Sequence, residues 1–277
     1  MNATAAIPTI EAPIGYLIDT GKLPVFYQSN VPGECTNFEG EREQRTMVVR
    51  DARALSNTFT LDIEGFAFVD HPTQVSNFFD DAELETVYNL EVEELIKAHT
   101  PGVTRVFVFD HTRRSSSQSL REKYNAREPA GAAHTDYTDW SAAQRIKDLL
   151  PDEADTLLVK RFAITNVWRS MTGIIEEWPM ALCDARSVDD SCLHTVERRA
   201  YNRIGQTRHA SFDAGNDWYY FPRMTRDEAI LIKNYDSGAV AEGVAPYSLH
   251  AAFDDPTSPA DAAPRESLET RALVFFD

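Results

Sequence analysis

Histidine and aspartate stand two positions apart in His134-Thr135-Asp136. In a strand, residues i and i+2 project from the same face, so an imidazole and a carboxylate at this spacing can share one metal ion without distorting the backbone. His250, far along the chain in a strand-like context, supplies a third ligand if barrel closure brings its strand opposite the first pair. Two neutral imidazoles and one carboxylate on one face of an octahedral ion form the facial triad of non-haem Fe(II) oxygenases, with positions left for a co-substrate and dioxygen. Zinc prefers a tetrahedral site with one open position. An isolated HxD tripeptide also fits a surface histidine beside an acidic residue. His111 is a spare ligand candidate, whereas His71, His99, His194 and His209 have no partner at ligand spacing.

Downstream of His250 comes Arg265-Glu266-Ser267, at the start of a strand-like run. An arginine and a serine at i and i+2 share a face, and the planar guanidinium suits a carboxylate while the hydroxyl adds one hydrogen bond. Arg271 lies on the same polar face; it is the alternative clamp, or the ion-pair partner of Glu269. Asn166 shares a face with Trp168 and either contacts the co-substrate or satisfies local backbone groups. A substrate pocket beside such a metal is mainly apolar. Phe107, Trp140 and Trp168 are the candidates to line it, or else they fill the core.

These side chains need a scaffold that closes. Thr58–Phe66 alternates apolar and polar residues like a half-buried strand, and Asp80 and Asp81 can cap a helix through Ile96 whose apolar stripe is imperfect in its middle. Strands are predicted at Arg105–Asp110, Arg161–Arg169, Trp218–Phe221, Ala229–Tyr235, Tyr247–Phe253 and Ser267–Phe276, with a Ser141-capped helix over Ala142–Leu150. The polar stretch Arg113–Ser119 reads as part of a long, mobile connection to His134, of the kind that acts as a lid, and Asp254–Pro264 as a loop between strands. Many short strands late in the chain and helices mostly early predict a mainly β fold with supporting helices, an antiparallel barrel or jelly roll.

The chain has 277 residues, 43% hydrophobic and 26% charged, which is globular composition with room for a large core. One domain over 1–277 is expected, with strands and a helix in 1–100 and the core from about 101 onward. A net charge of −17 repels phosphate backbones and anionic lipid, so nucleic acid and membrane surfaces are not expected partners. No apolar run approaches the roughly 18 residues of a membrane span, and Met1–Ile7 lacks a secretory signal pattern, so a cytoplasmic location is expected. Cys35, Cys183 and Cys192 show no CxxC spacing and read as reduced packing residues. The N-terminal third could support a homodimer, although it carries no heptad pattern.

The ordered set His134-Thr135-Asp136, Asn166-Val167-Trp168-Arg169, Trp178–Asp184, Tyr235-Asp236-Ser237, Ser248–Phe253 and Arg265–Arg271 resembles the AsaB/CmcJ/NvfI-type hydroxylase/desaturase family of fungi and bacteria, over roughly residues 55–277. The resemblance implies a double-stranded β-helix dioxygenase that uses Fe(II), 2-oxoglutarate and dioxygen in natural-product oxidation. His134, Asp136 and His250 would then hold iron, and Arg265 with Ser267 the distal carboxylate of 2-oxoglutarate. The gap from His250 to Arg265 exceeds that common in the wider superfamily, so Arg271 stays open as the alternative. The implied reaction is C–H oxidation of a small apolar molecule, meroterpenoids included, ending in hydroxylation, desaturation or an endoperoxide. Two other readings remain: a zinc-assisted lyase or isomerase on the same fold, and a catalytically silent β-helix that binds a ligand.

Overall fold

The computed structural model describes residues 7–27, 37–200 and 203–277; Cys35 lies outside them. The first strands are β1 (Thr9–Ile18), β2 (Val25–Tyr27), β3 (Asn37–Glu39), β4 (Glu41–Asp51) and β5 (Phe66–Asp70). Next come β6 (Val103–Ser115), β7 (His134–Thr135), β8 (Phe162–Ser170), β9 (Met180–Cys183) and β10 (Leu193–Ala200). The last are β11 (Arg203–Ala210), β12 (Trp218–Tyr220), β13 (Glu228–Asp236), β14 (His250–Ala252) and β15 (Glu266–Phe276). They form a ten-stranded sheet ordered β1-β4-β12-β9-β14-β7-β11-β10-β2-β3, and a five-stranded sheet ordered β5-β13-β8-β15-β6. The two curled sheets face each other as the double-stranded β-helix, or jelly roll, expected from the sequence.

Alternation along β8 and β15 explains how the smaller sheet is buried on both faces. Ala163 and Val167 of β8, with Leu268, Ala272 and Val274 of β15, point outward and pack against Val92, Leu95 and Ile96 of α1 (Asn89–His99). Phe162, Ile164, Asn166 and Trp168 point inward, level with Phe275, Leu273, Arg271 and Glu269 of β15. The inner face is thus apolar at one end and polar where Asn166 and Arg271 sit side by side, and that polar stretch positions the site.

Asp80 accepts a hydrogen bond from Ala82 N–H and caps the helical run that leads into α1. The imperfect middle of its apolar stripe is a π turn at Leu84–Tyr88, which shifts the register enough to bury both Leu84 and Tyr88. Thr58–Phe66 is not a strand. Its alternation is overridden by turns in which Gly65 takes a φ of +81° and the Glu64 carboxylate accepts from Thr60 N–H; strand begins only at Phe66. Arg113–Ser115 does not begin the connection either, because it continues β6 in register with β15, and Ser117 then caps α2 (Gln118–Tyr124). Thr138, and not Ser141, caps α3 (Asp139–Leu149), with Ser141 reciprocating from the third helical position. β4, β10 and β11 carry charges on their exposed faces that mask the alternation, and Pro13 and Gly15 interrupt it in β1, so none of the four reads as a strand from sequence. No described helix is long and apolar enough to cross a membrane.

The burial of α1 can be checked directly. Ile96 is fully buried against the outer face of the small sheet, so Ile96→Ala is expected to lower unfolding stability by about 2–5 kcal/mol in urea titration. Leu90→Ala, at a position 60% exposed on the same helix, should change it by no more than about 0.5 kcal/mol.

Candidate active site

β14 lies beside β7, and the antiparallel register sets His250 directly opposite His134. Asp136 follows one residue beyond β7. Ligand atoms of His134, Asp136 and His250 all lie within 4.8 Å of one another, and the two imidazole centroids are 4.4 Å apart. Local hydrogen bonds orient each group. His134 Nδ1 donates to the Ala132 carbonyl at 2.8 Å, which leaves Nε2 with a free lone pair 3.6 Å from Asp136 Oδ1. His250 Nδ1 faces the Ser248 carbonyl at 3.4 Å, and its buried Nε2 has no protein partner. Burial and the adjacent His134 lower the His250 pKa to about 4, so the imidazole is neutral and its lone pair available at physiological pH.

The opposite sheet holds the carboxylate. Asp136 Oδ2 accepts from Asn166 Nδ2 and from Arg271 Nε, each at 2.9 Å, so Oδ1 is the oxygen left to face the imidazoles. Burial opposes ionisation of Asp136, but the Arg271 guanidinium outweighs it and holds the carboxyl well below the usual carboxylate range. Arg271 also donates to Asp110 at 2.5 Å, to Thr112 Oγ1 at 2.9 Å and to Glu269. Every nitrogen of this guanidinium is therefore engaged by the protein.

Arg265 differs in this respect. It is 1% exposed, and its Nε donates to Ser267 Oγ at 3.0 Å and its Nη1 to the Trp178 carbonyl at 2.6 Å. Nη2 is buried without a partner, and no carboxylate pairs with the group among the described residues. Burial, reinforced by nearby Arg114, lowers its pKa to about 9, which measures how poorly the protein alone compensates this charge. The guanidinium lies 4.9 Å from the Trp168 ring. An incoming carboxylate finds a desolvated cation, a free N–H and a hydroxyl at one place.

The other expected residues divide. Asn166 turns to Asp136, and its Oδ1 remains unpaired inside the barrel. Trp168 is completely buried beneath Arg265, with Nε1 unpartnered. Phe107 is half-buried in an apolar cluster with Ile146 of α3 and Leu273 of β15. Trp140 is 48% exposed on α3, so the structure does not bring it to the triad. His111 is also absent from the site: its Nδ1 meets Thr270 Oγ1 at 2.8 Å on the outer face of β15. His209, by contrast, is Cα partner to His134 across β7 and β11, with ring centroids 5.4 Å apart. Spacing could not reveal it, because its neighbour is contributed by another strand.

Paired imidazoles, a carboxylate with one oxygen free, and an unsatisfied guanidinium inside a double-stranded β-helix are the parts of an Fe(II)/2-oxoglutarate oxygenase site. Residues 14–275 match the family described as oxidoreductase/YMDC permease-like domain. The chain is 35% identical over 233 residues to the Fe(II)/2-oxoglutarate-dependent dioxygenase nvfI of Aspergillus novofumigatus, covering 81% of each chain. It is 35% identical over 257 residues to the hydroxylase/desaturase CTB9 of Cercospora beticola, covering 85% of this chain and 78% of that one. A solved structure of the iron and alpha-ketoglutarate-dependent endoperoxidase NvfI superposes with a TM-score of 0.84 at 30% identity, over 97% of this chain and 98% of that one. The chain belongs to this hydroxylase/desaturase family of Fe(II)/2-oxoglutarate-dependent dioxygenases.

Removing a group that orients a metal ligand weakens the metal site without removing a ligand. Asn166→Ala and Arg271→Gln are each expected to reduce Fe(II) affinity by about 10–100-fold in anaerobic calorimetric titration, because each removes one of the two hydrogen bonds that orient Asp136.

Proposed function

We propose that His134, Asp136 and His250 hold the ferrous ion and that Arg265 with Ser267 binds the distal carboxylate of 2-oxoglutarate, in an enzyme that oxidises C–H bonds of a small, mainly apolar natural product. The observation that carries this reading is the cluster of three ligand atoms within 4.8 Å, each turned inward by a hydrogen bond behind it or left without a protein partner. Bound together, iron and 2-oxoglutarate supply the activation of dioxygen, with decarboxylation of the keto acid to succinate. The protein turns both imidazoles inward, presents one oxygen of Asp136 and neutralises the co-substrate's far end at Arg265. Arg271 works through Asp136 as a positioning residue and does not act as the clamp, since its nitrogens are already occupied.

The names of the relatives support hydroxylation, desaturation or endoperoxide formation; that the reaction belongs to secondary metabolism, with meroterpenoids among the substrate classes, is our own reading. We take the whole chain to work as one dioxygenase domain, because β1 to β4 join the sheet that carries His134 and His250. A cytoplasmic location agrees with Cys183 and Cys192, which are both free thiols.

The test uses purified protein with Fe(II), ascorbate and 2-oxoglutarate, and follows succinate release and substrate oxidation by mass spectrometry. Chelating the iron and His134→Ala should each abolish product, and zinc should not restore it. Full activity of His134→Ala would reject the ligand assignment. Arg265→Met is expected to raise the KM for 2-oxoglutarate about 100-fold or more, because it leaves one buried charge of a pair uncompensated, whereas the same change at a surface arginine should not.

A further inference from the structure

We propose that the substrate carries a carboxylate or equivalent anionic group, bound at the barrel mouth between Arg198 of β10 and Arg127; this rests on the function proposed above. Strand register places the residues. His209 lies opposite His134, and on β10 and β11 the pairs Val196–Thr207 and Arg198–Gly205 continue that face outward from the metal ligands. Across the barrel, Arg114 of β6 is level with Ser267 of β15, and Arg127 is bridged beside Arg114. Two walls therefore converge on the triad, and each ends in arginine.

The polar groups along the first wall have nothing to bind. His209 is 5% exposed and neither ring nitrogen has a partner, and Thr207, 3% exposed, has an unpaired Oγ1. Buried polar groups are rarely left so, and an unsatisfied pair on the face that carries the triad implies a ligand with acceptors or donors. Arg198 lies 5.2 Å from the Phe26 ring but, like Arg127, forms no ion pair among the described residues. Burial and the neighbouring Arg127 lower the Arg198 pKa to about 10, consistent with a cation short of counter-charge.

Charge bookkeeping indicates the sign of the missing group. Arg271 with Asp110, Asp136 and Glu269 is doubly negative, which a ferrous ion balances. 2-Oxoglutarate exceeds Arg265 by one negative charge, and Arg114, which also reaches Glu269 at 3.9 Å, makes that good. Two guanidinium groups remain uncompensated inside a chain whose total charge is −17. Such a local reversal of sign acts over short range, since salt screens the distant acidic surface beyond about 8 Å.

The experiment compares apolar mono-, di- and tricyclic carboxylic acids with their methyl esters, by anaerobic calorimetric titration of enzyme saturated with Fe(II) and 2-oxoglutarate so that Arg265 is already occupied. Acids should bind about 10–100-fold more tightly than esters, the range for one charge-assisted hydrogen-bonded contact, and lose that advantage as salt rises. Arg198→Met and Arg127→Met should each reduce the preference to about threefold or less. Equal affinity for acid and ester, no binding across the whole series, or a preference that survives both substitutions overturns the proposal. Binding of 2-oxoglutarate itself is titrated first: its failure refutes the Fe(II)/2-oxoglutarate reading, whereas normal 2-oxoglutarate binding without an acid preference refutes only the anionic subsite.

Discussion

The site depends on one register, the pairing that sets His250 of β14 against His134 of β7. A slip of one residue would turn one imidazole to the far side of its sheet, because side chains alternate faces along a strand. β7 and β14 are short, so the register comes from neighbours that extend beyond them: β9 pairs with β14 over three residues, and β11 pairs with β7 through Arg208 and His209. Ala181, Ala251 and Ala133 pack with Trp218 behind these strands, on the face away from the ligands. Apolar packing on one face thus holds polar chemistry on the other.

Two arginines of similar sequence context serve different ends. Arg265 and Arg271 stand at even spacing near the start and middle of β15 and face the same interior. Arg271 meets Asp110, Glu269 and Asp136, so its charge is spent on keeping the Asp136 carboxylate ionised and oriented. Arg265 meets a carbonyl, a hydroxyl and an indole ring, none of which neutralises it. Spacing alone could not separate the two. What separates them is the identity of the cross-strand neighbours, with Asp110 and Asn166 beside Arg271.

Readable from the residues were the HxD pair, the distal histidine, the arginine–serine pair and the long alternating strands β8, β13 and β15, since each is written in local periodicity. The role of Asn166 was open, and its bond to Asp136 emerged only when the two sheets faced each other. Thr58–Phe66 misled because alternation is also compatible with turns once a glycine accepts positive φ. His209 and Arg198 carried no local signal: both matter through partners on other strands, and one sequence without long-range pairing does not contain that information.

The loop between β14 and β15 explains the wide gap between His250 and Arg265. It spans 253–265, is free of strand, and is pinned where it re-enters the sheet by Arg265 N–H donating to Ser116 Oγ at 2.9 Å. Both ends are therefore set by the barrel, and the intervening length has no hold on either. Evolution can lengthen, shorten or rewrite that segment while His250 and Arg265 stay where they are.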